Sequence, residues 1–286
     1  MEYLKLCCVA PHPPILVPEI GGPEIKKVKK STEGMNELAG RIEKDDPQTL
    51  VVMSPHSPVY GDAFLVQKER RLSGSFSMFG APHVAFQPTT DSDLAEALFE
   101  AAESKGIPVA STSGRWDLGG GGGKLDHGIL VPLYFLAPKS SSLVCISISM
   151  LSYWEHYRLG TAIREAVEKT GHRTVFIGSG DMSHRLKPGA PAGYSPRGEE
   201  FDRAIVQIME SGEYSALFDL DRDLIDDAGE CGLRSIFSIA GAVDGYGVDS
   251  RVLSYEGPFG VGYMVASVVP GDQDPGRKLS PPGKEV

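Results

Sequence analysis

The sequence has no apolar stretch that approaches the ~20 residues needed for a membrane-spanning helix. Its first residues also lack the positive region of a secretory signal, since Glu2 stands there and the apolar run ends at Pro11. Basic side chains are outnumbered, with 28 Lys and Arg against 38 Asp and Glu, and the net charge of -10 argues against nucleic acid or an anionic membrane as the main partner. We therefore expect a cytoplasmic protein that acts on a small molecule.

Cysteine is scarce as well, and the four present show neither CxxC nor zinc-finger spacing. Cys7 and Cys8 are adjacent in an apolar run, which indicates buried thiols in a reducing compartment. A chain of 286 residues, 41% of them hydrophobic, can bury a core without disulfides or a structural metal. A metal in this protein would therefore serve its function.

Short apolar runs alternate with amphipathic ones along the chain, a pattern typical of α/β proteins. Residues 3–10 and 49–54 are predicted strands, and the second is apolar on both faces and so central in a sheet. No boundary interrupts residues 1–270, which we predict to form a single α/β/α sandwich around a central mixed sheet. Residues 271–286 are rich in Pro, Gly and charge, and are predicted to be a flexible tail or a truncated linker.

Two strand ends resemble each other. His12 in Pro-His-Pro-Pro and His56 in Pro-His-Ser-Pro each follow an apolar strand, on a backbone that proline stiffens. Ligand sites in α/β sheets gather outside the carboxyl ends of strands, and neutral imidazole is a good ligand for iron and zinc. The repeat predicts two ligands of one metal ion; the alternative is two histidines hydrogen-bonded to backbone.

Two further histidines have informative neighbours. His184 follows the strand at 174–178 through Gly180 and Ser183, and it is predicted to be a third ligand or a general base, or else structural. His127 opens an apolar helix, where the helix dipole disfavours its charged form. That suits a neutral hydrogen-bond donor to a substrate oxygen, although a capping-turn residue is an equal alternative. The Gly119–Gly123 run before it is predicted to be a mobile loop or lid, since Walker-type spacing is absent.

Glu230 is the predicted carboxylate ligand. It lies between small residues just before a buried helix, so its carboxylate can approach a metal closely, whereas Asp226 and Asp227 are the neighbouring candidates. Two histidines and one carboxylate with open positions would form the facial triad of non-haem iron(II) enzymes. The remaining three histidines have no comparable context and are assigned no role: His83, His156 and His172.

These motifs, in this order and spacing, resemble the LigB-like family, the catalytic subunits of class III extradiol ring-cleavage dioxygenases, together with the related Memo-like proteins. The resemblance covers residues 3–269. It implies an α/β/α sandwich in which His12, His56 and Glu230 bind iron(II), with zinc or another divalent metal as alternatives. It also implies that His184 is the acid/base beside the dioxygen site and that His127 contacts the substrate hydroxyl.

The implied activity is cleavage of a catechol-type ring with O2. The opening Pro-His-Pro-Pro-Ile-Leu-Val-Pro-Glu-Ile-Gly most resembles a branch joined to an AMMECR1-like domain and encoded beside radical-SAM proteins. Two alternatives stay open: a Memo-like metal-binding protein without ring cleavage, and a zinc-dependent hydrolase, because sites with two histidines and a carboxylate also hold catalytic zinc. We expect a homodimer, the commonest symmetric assembly.

Overall fold

The computed structural model describes residues 1–112, 123–138 and 140–279. The strands in these ranges are β1 (Leu4–Ala10), β2 (Thr49–Ser54), β3 (Phe64–Val66), β4 (Leu72–Phe76), β5 (Ala81–Phe86), β6 (Val109–Ser111), β7 (Gly123–Lys124), β8 (Ser142–Ser147), β9 (Thr174–Ser179), β10 (Tyr246–Glu256) and β11 (Tyr263–Gln273). The α-helices are α1 (Pro18–Gly21), α2 (Lys29–Asp45), α3 (Ser92–Ser104), α4 (His127–Leu136), α5 (Tyr153–Thr170), α6 (Arg197–Ser211), α7 (Arg222–Ala228) and α8 (Leu233–Ala242).

Eight of the strands in these ranges form one sheet in the order β10-β11-β1-β9-β2-β8-β3-β6. The pairs β1–β9, β9–β2 and β2–β8 are parallel, whereas β11 runs antiparallel to both β1 and β10. The predicted mixed sheet is confirmed. Because β9 lies between β1 and β2, the carboxyl ends of three neighbouring parallel strands meet at one edge of the sheet.

Successive residues of each central strand enter different apolar clusters. In β1, Cys7 and Val9 belong to the cluster that also contains buried side chains of α3, α5, α6, α7 and α8. Cys8 and Ala10 belong to the other cluster, which contains buried side chains of α2 and α4. This alternation follows from the two-residue period of a strand, and it confirms the predicted sandwich with helices on both faces.

Residues 62–79 are divided between the two sheets. β3 joins the main sheet, while β4 pairs with β5 and β7 in a small three-stranded sheet. The physical reason lies in burial: all three residues of β3 are buried, whereas β5 has several exposed side chains and gives only a weak alternating pattern. Within the described residues, no helix is both long and apolar enough to cross a membrane.

The last strand passes the predicted domain boundary at residue 270. β11 extends to Gln273 because Tyr246 of β10 pairs with it there, and a 3-10 turn at Pro275–Arg277 follows. The N–H of Leu279 then donates to Asp244 Oδ1 at 2.9 Å. Residues 271–279 therefore pack beside β10, while the linker role of the tail stays a prediction. Residues 280–286, and residues 119–122 of the predicted lid, lie outside the described ranges.

Candidate metal centre

The three histidines predicted at strand ends lie at the same edge of the sheet. His12 follows β1 by two residues, His56 follows β2 by two, and His184 follows β9, the strand between them. The Nε2 atoms of His12 and His56 are 2.9 Å apart. The structure thus brings together the two imidazoles of the Pro-His-x-Pro repeat, through strands that are not neighbours in the sheet.

His12 is held on two sides. Its ring Nδ1 is hydrogen-bonded to the Ser179 hydroxyl at 2.9 Å, and its backbone N–H donates to Asp181 Oδ1 at 3.1 Å. Ser179 ends β9 and pairs in register with Ala10 of β1, so the sheet itself sets this contact. The ring is buried, and the bond at Nδ1 leaves Nε2 directed at His56. Such outer partners orient a ligating imidazole.

Cys231 is the third donor in this cluster. Its Sγ lies 3.7 Å from Nε2 of His12 and 3.7 Å from Nε2 of His184. The donor atoms of His12, His56 and Cys231 all lie within 4.8 Å of one another. The sequence prediction missed this residue, although its position between Glu230 and Gly232, where a side chain can approach a ligand closely, was the available signal.

Glu230, the predicted carboxylate ligand, has a different partner in the structure. Its Oε2 accepts the N–H of Leu233, the first residue of α8, at 2.6 Å. A carboxylate at a helix N-terminus satisfies an otherwise free N–H and complements the helix dipole. Glu230 is not among the residues whose donor atoms cluster with those of His12 and His56.

Two loops that carry site residues are joined along their backbones. The N–H of Cys231 donates to Asp181 O at 3.2 Å, and the N–H of His184 donates to Ala228 O at 3.1 Å. Gly180 and Gly232 meet where these loops cross, because a Cβ at Gly180 would lie 2.1 Å from Gly232 Cα. Only glycine permits that approach, and it fixes the register of His184 relative to Cys231.

His127 is the first residue of α4, as the sequence predicts, and it faces the same cluster. Its ring centroid is 4.1 Å from that of His56 and 5.6 Å from that of His12. Phe79, in the 3-10 turn Ser77–Phe79, contacts the His127 ring edge-on with centroids 5.6 Å apart. Four imidazoles, the Cys231 thiol and the Phe79 ring therefore lie together at the carboxyl edge of the sheet.

Burial keeps these imidazoles neutral. Desolvation lowers the pKa of His12 well below its usual range, and the charges of the other site histidines lower it further. Desolvation likewise lowers the pKa of His56, His127 and His184. Neutral imidazole is the form that binds metals.

Burial raises the pKa of the acidic groups near these imidazoles. Burial raises the pKa of the Cys231 thiol well above its usual value, and Asp181 adds to this. Burial also raises the pKa of Asp181 to about 7 and that of Glu230 to about 7, against the hydrogen bonds each accepts from backbone N–H groups. A cation in the cluster would offset these penalties, since a coordinating thiol is deprotonated by the metal.

The donor set fits a divalent metal. The buried His12 Nε2 has as polar neighbours the His56 nitrogen, the Cys231 sulfur and, at 3.8 Å, Asp181 Oδ2. Their spacing suits ligand bonds of roughly 2.0–2.3 Å to one ion. Imidazole and thiolate donors together suit zinc, iron or copper rather than magnesium or calcium.

The fold and the site together define an α/β protein with a histidine- and cysteine-lined centre at the carboxyl edge of its sheet. Residues 6–266 match the family described as the catalytic LigB subunit of aromatic ring-opening dioxygenase. The chain belongs to the LigB family.

Several proteins of known sequence are similar to this chain. It is 38% identical over 258 residues to Protein CA_C1420 of Clostridium acetobutylicum. The match covers 89% of this chain but only 55% of that protein, so this chain spans about half the length of the relative. It is 26% identical to the 2-aminophenol 1,6-dioxygenase beta subunit of a Pseudomonas species, over 77% of the chain and 78% of that protein.

A third relative, the 2,3-dihydroxyphenylpropionate/2,3-dihydroxicinnamic acid 1,2-dioxygenase of Photorhabdus laumondii, is 24% identical over 73% of the chain and 69% of its own length. Among solved structures, an uncharacterized protein, JW3007 of Escherichia coli K12, shares the fold with a TM-score of 0.58 at 16% identity. The match covers 93% of this chain and 99% of that one.

Proposed function

We propose that this protein is a metal-dependent oxygenase of the LigB family that holds iron(II) through His12, His56 and Cys231 and opens a catechol-type ring with O2. The observation that carries the proposal is the convergence of two neutral imidazole nitrogens and one thiol sulfur within 4.8 Å. Two relatives support the substrate class by their names: one acts on 2-aminophenol and the other on dihydroxyphenyl acids. Both kinds of molecule carry two adjacent heteroatoms on a benzene ring.

A bound iron(II) ion would supply Lewis acidity toward the two ring heteroatoms and electrons for the reaction with dioxygen. The remaining work falls to residues of the chain. His184, neutral and beside Cys231, is the residue we assign to accept a proton from the substrate hydroxyl. His127, whose ring centroid lies 4.1 Å from that of His56, is assigned to donate a hydrogen bond to a substrate oxygen.

The test uses protein loaded anaerobically with iron(II) and offered catechols and 2-aminophenols. We expect oxygen uptake together with a yellow ring-opened product, and loss of both in His12→Ala. Protein that contains stoichiometric iron and consumes no oxygen across the panel would refute ring cleavage.

A second candidate is favoured by one observation, the thiol at the third position. A facial triad of iron oxygenases has a carboxylate there, and a thiolate is a softer donor with different metal preferences. On this proposal the protein is a Memo-like metal-binding protein without ring cleavage. It predicts tight metal binding that depends on Cys231 and no oxygen uptake with any catechol; metal analysis of freshly isolated protein identifies the ion.

The assembly is also a proposal. The relative from Clostridium is longer than this chain. The resemblance of the amino-terminal motif implies an AMMECR1-like domain, which would act with this one either covalently joined or as a partner. A homodimer is the expected state of the chain alone. Light scattering on purified protein, with and without a separately expressed AMMECR1-like domain, measures both.

A further inference from the structure

The carboxylate of Asp126 joins two segments that carry site histidines. Its Oδ1 accepts the hydroxyl of Ser54 at 2.7 Å, and its Oδ2 accepts the hydroxyl of Ser57 at 2.6 Å. The Ser54 oxygen in turn accepts the backbone N–H of His56 at 3.1 Å. Both oxygens of this carboxylate are therefore committed to the turn that carries His56, while the next residue in the chain is His127.

The local geometry shows that this commitment replaces a more usual one. Asp126 occupies the N-cap position of α4, where an aspartate side chain ordinarily accepts a helix N–H, yet it makes no such bond here. Gly128 is required by the same packing: a Cβ there would lie 2.4 Å from Ser54 Oγ and 2.9 Å from Asp126 Oδ1. The start of α4 thus fits against the His56 turn instead of capping itself.

The consequence is a fixed relation between two rings. The imidazoles of His56 and His127 lie 4.1 Å apart at an interplanar angle of 33°, and His56 Nε2 faces His12. We propose that Asp126 is a positioning residue that holds His56 and His127 at a fixed distance and angle. The proposed metal ligand His56 and His127, which is assigned to the substrate-binding side of the centre, then keep the same relative position. The inference rests on the metal centre proposed above, and it concerns a residue outside that ligand set.

The experiment compares Asp126→Ala and Asp126→Asn with Asp62→Ala, a control at an exposed carboxylate of the loop that follows His56. Cobalt(II) affinity, measured by competition with a chromophoric chelator, is expected to fall roughly 10–100-fold in Asp126→Ala, the range typical for partners that orient a ligating histidine. Asp126→Asn keeps one acceptor for Ser54 and adds a donor for Ser57 Oγ, so it should recover most of the affinity. The control should match wild type.

A second readout needs no metal. Long-range proton–nitrogen NMR spectra of the histidine rings in the metal-free protein should show that Asp126→Ala moves the signals of His56 and His127 but leaves His83 and His172 in place. Ser57→Ala, which removes only one of the hydrogen bonds, provides the same comparison if Asp126→Ala does not fold.

The two readouts separate the two proposals. Wild-type protein that fails to bind cobalt(II) refutes the proposed metal centre, and the NMR spectra then decide the role of Asp126 alone. Wild-type affinity in Asp126→Ala, or unchanged signals of both His56 and His127 in the variant, overturns the positioning role. A lower melting temperature with unchanged affinity and unchanged spectra would make Asp126 merely structural.

Discussion

The two edges of the central sheet both place histidines near polar partners, with different results. At the amino edge, His172 precedes β9 and its Nδ1 lies 2.8 Å from Asp91 Oδ2, while Thr49 donates to the same oxygen. At the carboxyl edge, four imidazoles pack mainly against one another and a thiol. A histidine hydrogen-bonded to a carboxylate ties two segments of the fold together, whereas neutral imidazoles that face each other leave lone pairs for a cation.

The largest expected effect is a loss of metal affinity that occurs at the carboxyl edge and not at the amino edge. His12→Ala removes a buried donor of the carboxyl edge, and we expect metal affinity to fall by more than about 100-fold, beyond the effect typical of outer partners. His172→Ala, the matched change at the amino edge, should leave affinity unchanged. Chelator competition measures both, and equal losses in the two variants would contradict the assignment of the centre.

The second comparison is between neighbours in the chain. Cys231→Ala should weaken metal binding by about 10-fold or more, because it removes a proposed ligand. Glu230→Gln keeps an oxygen that can accept the Leu233 N–H and should retain the metal. Glu230→Ala should lower the free energy of unfolding by about 1 kcal/mol, as loss of a helix cap does.

Metal content and urea denaturation are measured on the same Cys231 and Glu230 samples. Loss of metal in Glu230→Gln with retention in Cys231→Ala would restore the carboxylate to the ligand set.

The two edges also differ in how their contribution to the free energy of unfolding depends on pH. In metal-free protein the pKa of His12 lies below its unfolded value of 6.5, so the unfolded chain binds more protons and stability falls as pH drops below about 6.5. Burial raises the pKa of Asp91, but hydrogen bonds from Thr49, Leu94 and His172 outweigh it, and the net lowering means that stability at this edge is lost only as pH falls below about 3.8.

His12→Gln should flatten the dependence of unfolding free energy on pH between 5 and 6.5, by at most about 1.4 kcal/mol per pH unit. Asp91→Asn should leave that slope unchanged. Urea titrations at several pH values measure both, and parallel curves for wild type and His12→Gln would show that His12 is not held neutral by the fold.

The smallest expected effect concerns Phe79, the aromatic ring that contacts His127. Phe79→Ala should raise the KM for a ring substrate by about 2–10-fold, since an aromatic contact contributes roughly 0.5–1.5 kcal/mol, with little change in metal content. Met78→Ala is the control, because Met78 is adjacent but 92% exposed. Equal effects of the two changes on KM would show that Phe79 does not contact the substrate.

The sequence was sufficient for the layered fold and for the convergence of His12 and His56, because strand ends marked by Pro-His are local signals. It could not predict that β9 lies between β1 and β2, which places His184 beside the pair, since strand order depends on tertiary packing. Cys231 was missed for a related reason: its approach to His12 depends on a crossing of two loops far apart in the chain.

That crossing has a consequence for how such a centre can change. The contact between Gly180 and Gly232 fixes the position of residue 231 through the backbone and not through its side chain. The chemical identity of the third donor is thereby separated from its location. Replacement of Cys231 by aspartate or histidine would present a different donor at the same place, which makes this position the natural one at which to redesign metal preference on an unchanged scaffold.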